Sequence, residues 1–197
     1  IRADIEKGNV TMGDMYSIMP FDNTLVTVKM TGAQVVTLLE QGIQDQKGKG
    51  MQISGLTFQY DNSKPSMERV FNVKDSAGKP IDLKKTYTVA TNNFMGTGGD
   101  NFDVFNDANV KASYTDTYIV ARNSLVEAAK SAKVINAAVD NRISLGTKTA
   151  AGASTDKEPT TANPATGSTN NTVLLVNLAL FSAAAIFVTR KSKAAQK

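Results

Sequence analysis

A glycine-rich loop carries residue types that could bind a small ligand. Residues 92–102 read NNFMGTGGDNF and combine Phe94, Gly96, Gly98, Gly99 and Asp100. Glycine tolerates positive φ and lets a ligand approach the backbone closely, and a carboxylate can accept two hydrogen bonds from the hydroxyls of a ribose. A phenylalanine at the rim offers a flat face of the kind on which nucleobases stack. Taken alone, this stretch is more typical of a glycine-rich surface turn with a core phenylalanine than of a ligand-binding loop.

A second loop changes this balance. Residues 19–24 (MPFDNT) place Phe21 next to Asn23, whose amide can both donate to and accept from the edge of a base. Two phenylalanines from separate loops could clamp a ring from both faces. Arg2 adds a fixed cation suited to phosphate, with a solvated charge at a helix end as the alternative. Together these residues predict a site for a phosphorylated ligand with an aromatic ring.

The composition excludes several classes of chemistry. The 197 residues include no histidine and no cysteine, so a histidine-dependent triad, an imidazole-bound metal and a cysteine-type zinc site are excluded for this chain alone. The net charge of +4 comes from Arg190, Lys191, Lys193 and Lys197, and the rest of the chain balances 18 basic against 18 acidic residues. We therefore expect no nucleic-acid polymer as a partner.

The elements that must position the two loops follow from hydrophobic periodicity. Residues 25–30 predict a strand, and residues 31–34 (TGAQ) form a capping box for a helix whose apolar face ends near Ile43. Further strands are predicted at residues 53–60, 69–73 and 87–91. A second helix is predicted over residues 116–129, capped by Thr115. This mixture predicts an α+β class, with residues 1–146 forming a layered domain of mixed β-sheet and helices.

The composition shifts after Gly146. Residues 147–162 are rich in Thr, Ala, Ser and Lys and predict a flexible linker. Residues 173–189 are apolar and predict one hydrophobic helix, about 25 Å long at roughly 1.5 Å per residue, which is enough to span a bilayer. The basic tail at 190–197 would then lie in the cytoplasm. A buried core helix is the alternative for the apolar run.

This C-terminal order resembles a Gram-positive cell-wall sorting signal. Residues 163–167 (NPATG) stand where such signals have a five-residue motif ahead of the hydrophobic span and the positive tail. The resemblance implies that a sortase cleaves between Thr166 and Gly167 and links Thr166 to peptidoglycan at the cell surface, after transient membrane insertion. Asn163 departs from the usual leucine, which leaves the sortase class open.

Residues 1 to about 145 resemble the C-terminal domain of the 5'-nucleotidase family. The resemblance rests on Ile1-Arg2, Pro20-Phe21-x-Asn23, Thr31-Gly32, residues 52–56 (QISGL), Tyr87-x-Val89-Ala90-Thr91-Asn92 and Gly98-Gly99-Asp100. In this family the C-terminal domain binds the nucleoside, and an N-terminal metallophosphoesterase domain holds two divalent metal ions. The resemblance implies that this metal-bearing domain precedes Ile1, and that the present chain supplies neither catalytic residues nor metal ligands.

The resemblance also implies a role for individual residues. Phe21 and Phe94 would sandwich the base, Asn23 and Gly48 would lie near it, and Gly98 and Gly99 would let the ligand approach. Asp100 would hold the ribose hydroxyls and Arg2 would meet the phosphate. Asp22 stands where family members often have glycine, so an added carboxylate near the base could alter base preference.

The expected activity is that of a cell-surface 5'-nucleotidase, which releases nucleoside and phosphate from a nucleoside monophosphate. Two alternatives remain open at this point. Within the hydrolases, the chain could belong to a 2',3'-cyclic nucleotide phosphodiesterase, a 3'-nucleotidase or an enzyme for di- and triphosphates. Outside them, it could be a non-catalytic surface binding module or adhesin.

Overall fold

Two β-sheets and five α-helices are the main elements in the described part of the chain. The computed structural model describes residues 1–43, 51–136 and 138–149, together with the backbone of Ile186–Thr189. The larger sheet has the order β2 (Ile53–Ser54), β8 (Ile186–Thr189), β5 (Thr86–Asn92), β1 (Thr24–Thr31) and β6 (Thr115–Val120). The smaller sheet has the order β4 (Val70–Asp75), β3 (Leu56–Tyr60) and β7 (Ile143–Leu145). The helices are α1 (Met12–Ile18), α2 (Gly32–Ile43), α3 (Asn93–Gly96), α4 (Ala108–Ala112) and α5 (Ala121–Ala132). This architecture confirms the predicted α+β class.

Strand β1 and helix α2 form as the sequence predicts. The side chain of Gln34 accepts a hydrogen bond from the Thr31 backbone N–H at 2.9 Å, and the Thr31 hydroxyl accepts one from the Gln34 N–H at 3.2 Å. This reciprocal pair is the predicted capping box. The apolar face of α2 then packs into the main core, where Val35, Leu38 and Leu39 are fully buried.

Two predicted elements are wrong. Residues 53–60 do not form one strand, because Gly55 adopts φ 83° and turns the chain between β2 and β3, which belong to different sheets. Residues 115–120 are strand β6 rather than the start of a helix, so the helix begins only at Ala121. Their β-branched and aromatic side chains suit a strand, and pairing with β1 satisfies the backbone groups that β1 does not share with β5.

A second, smaller hydrophobic cluster joins α1 to α5. It contains Met15 and Ile18 from α1 and Leu125 and Val126 from α5. Helix α1 was not predicted, although Thr11 and Asp14 form a full capping box at its start. The cluster fixes both helices beside the loop that carries Phe21.

The end of the domain differs from the prediction at a few described positions. Lys148, predicted to lie in the linker, donates from its backbone N–H to Asp61 at 2.8 Å and from Nζ to the Glu68 carbonyl at 2.7 Å. Ile186–Thr189, the end of the predicted hydrophobic helix, is strand β8, which fills the space between β5 and β2. Its backbone thereby pairs with sheet edges on both sides. In the described part of the chain, no helix combines the length and apolarity needed to cross a membrane.

Candidate functional site

The two predicted ligand-binding loops meet at one edge of the larger sheet. Strand β1 runs antiparallel to both neighbours, so its start lies beside the ends of β5 and β6, with Leu25 opposite Asn92 and Thr24 opposite Val120. The loop before β1 and the loop after β5 are therefore adjacent. We call this region, residues 19–23 and 93–101, the loop edge.

Both phenylalanines of the loop edge are exposed. Phe21 is 58% and Phe94 is 51% exposed, whereas Phe58 and Phe105 in the main core are 1% and 0% exposed. The interpretation of Phe94 as a core residue beside a surface turn is therefore excluded. Two solvent-facing aromatic rings on adjacent loops are unfavourable for an isolated domain, and they suit the stacking of a planar ligand.

A pair of asparagines connects the two loops. The Asn23 Nδ2 lies 3.5 Å from Asn92 Oδ1, at the limit of a hydrogen bond. The same Asn92 oxygen accepts the Met95 backbone N–H at 2.8 Å and caps the short helix α3, on which Phe94 lies. The predicted base-edge residue Asn23 thus contacts the residue that orients the opposite loop.

The glycines of the second loop make room for protein atoms. A Cβ on Gly99 would lie 2.5 Å from the Phe94 carbonyl oxygen and 2.7 Å from its ring, so only glycine lets the ring occupy this position. Gly98 has φ 89° and faces the Asn106 amide, which a Cβ would approach to 2.7 Å. The sequence predicts ligand approach at both glycines, and the structure adds that they shape the loop itself.

Asp100 lies in the left-handed region, with φ 54° and ψ 31°, and is followed by Asn101 at φ 64°. Aspartate and asparagine are the non-glycine residues that tolerate this conformation best, although each such residue still costs of order 1 kcal/mol. Asp100 is exposed at the tip of the loop. Its position is compatible with the predicted contact to sugar hydroxyls.

Arg2 lies beside Phe21. Its backbone N–H donates to the Ile18 carbonyl at 3.0 Å, and its guanidinium carbon lies 5.4 Å from the centroid of the Phe21 ring. This distance falls within the range of a cation–π interaction. The predicted phosphate-binding cation and one predicted base-stacking ring are therefore neighbours.

Comparison with known proteins identifies the fold to which this arrangement belongs. The family described as "5'-nucleotidase, C-terminal domain" matches residues 1–107, which is more than half of the chain. This chain belongs to the 5'-nucleotidase C-terminal domain family. The match covers both phenylalanines of the loop edge as well as Asn23, Asp100 and Arg2.

Relatives of this 5'-nucleotidase C-terminal domain are larger proteins. The trifunctional nucleotide phosphoesterase protein YfkN of Bacillus subtilis is 40% identical over 116 residues, which is 55% of this chain and 8% of YfkN. The cell wall protein Lmo0130 of Listeria monocytogenes is 31% identical over 153 residues, covering 72% of this chain and 19% of that protein. The crystal structure of the 5'-nucleotidase precursor from Thermus thermophilus superposes with a TM-score of 0.68 at 34% identity, covering 76% of this chain and 30% of that one. The chain thus spans less than a third of each.

The structure of the domain gives Asp22 a partner that the sequence did not indicate. Its carboxylate accepts a charge-assisted hydrogen bond from the guanidinium of Arg122. Sequence reasoning missed Arg122, which lies 100 residues away and was assigned to a predicted helix without a role. No local sequence signal connects the two residues.

Several predicted features cannot be located in the domain. Gly48, Thr166 and Gly167 lie outside the described residues, as do the sorting motif and most of the predicted hydrophobic span. Within the described ranges, no group of three or more acidic side chains could hold a metal ion.

Proposed function

We propose that this chain is the nucleoside-binding domain of a 5'-nucleotidase. The observation that carries the proposal is the pair of exposed phenylalanines, Phe21 and Phe94, held on adjacent loops at one sheet edge. Exposed rings that are oriented by asparagine and glycine contacts are suited to receive a base between them. The nucleotide phosphoesterase YfkN, with 40% identity, supports a nucleotide as the ligand.

In this proposal the surrounding residues contact the other parts of the nucleotide. Asn23 and the unlocated Gly48 serve the base edge, Asp100 accepts the ribose hydroxyls, and Arg2 leaves the Phe21 ring to meet the phosphate. Gly98 and Gly99 hold the second loop in the shape that this contact requires. In this arrangement the domain binds and orients the substrate, which lowers the entropic cost of the reaction.

Phosphate release belongs to another part of the enzyme in this proposal. An upstream metallophosphoesterase domain would hold two divalent ions and supply the metal-activated water that attacks phosphorus. The residues of the present chain would bind the nucleoside, fix its orientation and present the phosphate. Accordingly, the chain alone should release no phosphate from nucleotides, with or without added divalent metal.

We further propose that the protein acts at the cell surface. The likeness to the Listeria cell wall protein Lmo0130 supports this location, and the order of motif, apolar run and basic tail in residues 163–197 supports sortase linkage through Thr166. Thr166→Ala should release the protein from the wall fraction into the medium or the membrane. Unchanged wall attachment in that variant would refute the linkage.

The direct test of nucleoside binding is calorimetric titration of the chain. The probes are the 5'-monophosphates of the four common nucleosides, 2'-deoxyadenosine monophosphate and inorganic phosphate. At least one nucleotide should bind more tightly than inorganic phosphate, since the base contributes stacking of roughly 1–3 kcal/mol. Asp100→Ala should weaken ribonucleotides more than the deoxynucleotide. Equal affinity for nucleotide and phosphate would contradict the proposal.

A further inference from the structure

Arg122 carries a buried charge at the base of the loop edge. Its side chain is 5% exposed, although a guanidinium remains ionised at any physiological pH. One terminal nitrogen donates to the Met19 carbonyl at 2.7 Å and to the Phe21 carbonyl at 3.4 Å, and the other donates to Asp22. All three contacts fall within four consecutive residues.

These contacts restrain the segment that displays Phe21. Because the Phe21 ring is more than half exposed, core packing does not fix its position. The backbone around it is instead held by Arg122, and the carbonyl of a nearby loop residue, Asn23, accepts the Ala121 N–H at 2.8 Å. Ala121 and Arg122, the first two residues of α5, thus hold the loop both before and after Phe21.

Helix α5 is a firm anchor for this purpose. It packs against α1 through the cluster of Met15, Ile18, Leu125 and Val126. The ring of Tyr16, also on α1, lies 3.8 Å from the Arg122 guanidinium carbon and covers it. The guanidinium is therefore fixed between a helix pair and the loop.

Stability alone is a poor explanation for this arrangement. Among the described residues, the buried Nε of Arg122 has no hydrogen-bond partner, and a buried unpaired donor is destabilising. Its ionic partner Asp22 is 76% exposed, and ion pairs with such exposure contribute little. A buried arginine that keeps an unpaired donor while holding two loop carbonyls fits a role in fixing geometry.

We propose that Arg122, together with Asp22, is a positioning residue that holds Phe21 at the angle required for stacking on the base. The proposal rests on the proposed function, because it assigns Phe21 to the base. Arg122 does not touch the ligand and acts through the loop of residues 19–23. The Asp22 carboxylate serves this contact rather than base selection.

Nucleotide titration of Arg122→Met tests the proposal against a matched control. Arg142 also donates to a backbone carbonyl, that of Ile53 at 2.7 Å, and pairs with Asp140, but this carbonyl belongs to β2, at the opposite end of the larger sheet's strand order from β6. Arg122→Met should raise the Kd for the best-binding monophosphate about fivefold or more, whereas Arg142→Met should lower the melting temperature and leave Kd unchanged. Equal Kd values for the two variants would overturn the proposal.

A double variant separates positioning from general destabilisation. If Arg122 acts through the Phe21 ring, Arg122→Met should cost no further affinity in the Phe21→Ala background. Additive losses in the double variant would show that Arg122 acts elsewhere. Should Arg122→Met not fold, Arg122→Lys provides the same comparison, because an ammonium keeps the charge but lacks the two terminal nitrogens that donate to the Met19 and Phe21 carbonyls and to Asp22.

Limited proteolysis tests the same idea without a ligand. Chymotrypsin cleaves after exposed phenylalanines, and Phe94 on the neighbouring loop supplies an internal reference. Releasing residues 19–23 in Arg122→Met or Arg122→Lys should speed cleavage after Phe21 about fivefold relative to cleavage after Phe94. An unchanged ratio would overturn the positioning role. If wild-type chain binds no nucleotide, the proposed function fails while this ratio still decides the role of Arg122.

Discussion

Four phenylalanines mark two regions of the domain in which different interactions hold the rings in position. Phe58 and Phe105 are buried in the main core, whereas Phe21 and Phe94 lie exposed at the loop edge. The core rings are positioned by close packing on all sides. The exposed rings are positioned by polar contacts to their own backbone and by a glycine that leaves room for one of them. Stability and ligand binding should therefore respond to different substitutions.

The largest effect is expected in the core. Phe105→Ala should lower the free energy of unfolding by about 3–5 kcal/mol, because it removes a fully buried ring and leaves a cavity. Urea denaturation measures this loss, and nucleotide titration of the remaining folded protein should give the wild-type Kd. A weakened Kd in the folded fraction would mean that the two regions are not separate.

A smaller effect should follow from filling the space under Phe94. Gly99→Ala places a Cβ where the Phe94 ring and carbonyl now lie, so the loop must shift, at a cost of about 1–3 kcal/mol divided between folding and binding. Calorimetry and thermal melting should record both parts. Gly13→Ala on α1 is the control, since its Cβ meets only Thr11 at 3.5 Å and alanine favours helix. Equal changes in Kd and melting temperature in the two variants would contradict the assigned role of Gly99.

The sequence predicted the parts of this comparison that depend on local patterns. The capping box at Thr31 follows from residues three positions apart and strand β1 from an alternating pattern, and both formed as expected. The residues of the loop edge were recognised from aromatic, amide and glycine types in two short stretches. That Phe94 is exposed was not predictable from the loop alone, because the same residue type also fills the core a few positions later at Phe105.

What the sequence could not predict depends on long-range contacts. Residues 115–120 contain a helix-like spacing, but pairing with β1 makes them a strand and moves the start of α5 to Ala121. That shift is what brings Arg122 beneath the Phe21 loop. The contact joins residues 100 positions apart, so neither periodicity nor a motif could indicate it.

The smallest effect is expected at Asp61, to which we assign no part in the packing or display of the four phenylalanines. Asp61 accepts hydrogen bonds from the Ser63 hydroxyl and from the Lys148 backbone, which lower its pKa from 3.8 to about 2. Because the folded-state pKa is the lower one, ionised Asp61 stabilises the fold above about pH 4, and this contribution is lost as the pH falls through about 2.

Asp61→Asn should therefore reduce the melting temperature at pH 7, and its difference from wild type should shrink toward pH 2. Ser63→Ala should reproduce part of the loss at neutral pH, since it removes the strongest of these hydrogen bonds. Nucleotide Kd should stay constant in both variants. A pH-independent difference in melting temperature would contradict the assignment to the Asp61 charge.

The central claim is that the exposed rings of Phe21 and Phe94 bind a nucleobase from two sides. Its most direct test measures nucleotide Kd and melting temperature together for Phe21→Ala and Phe94→Ala, with Phe105→Ala as the core reference. Each loop variant should lose roughly 1–3 kcal/mol of binding, about fivefold to over a hundredfold in Kd, with a melting temperature close to wild type. Wild-type Kd values combined with lowered melting temperatures in both loop variants would contradict the claim.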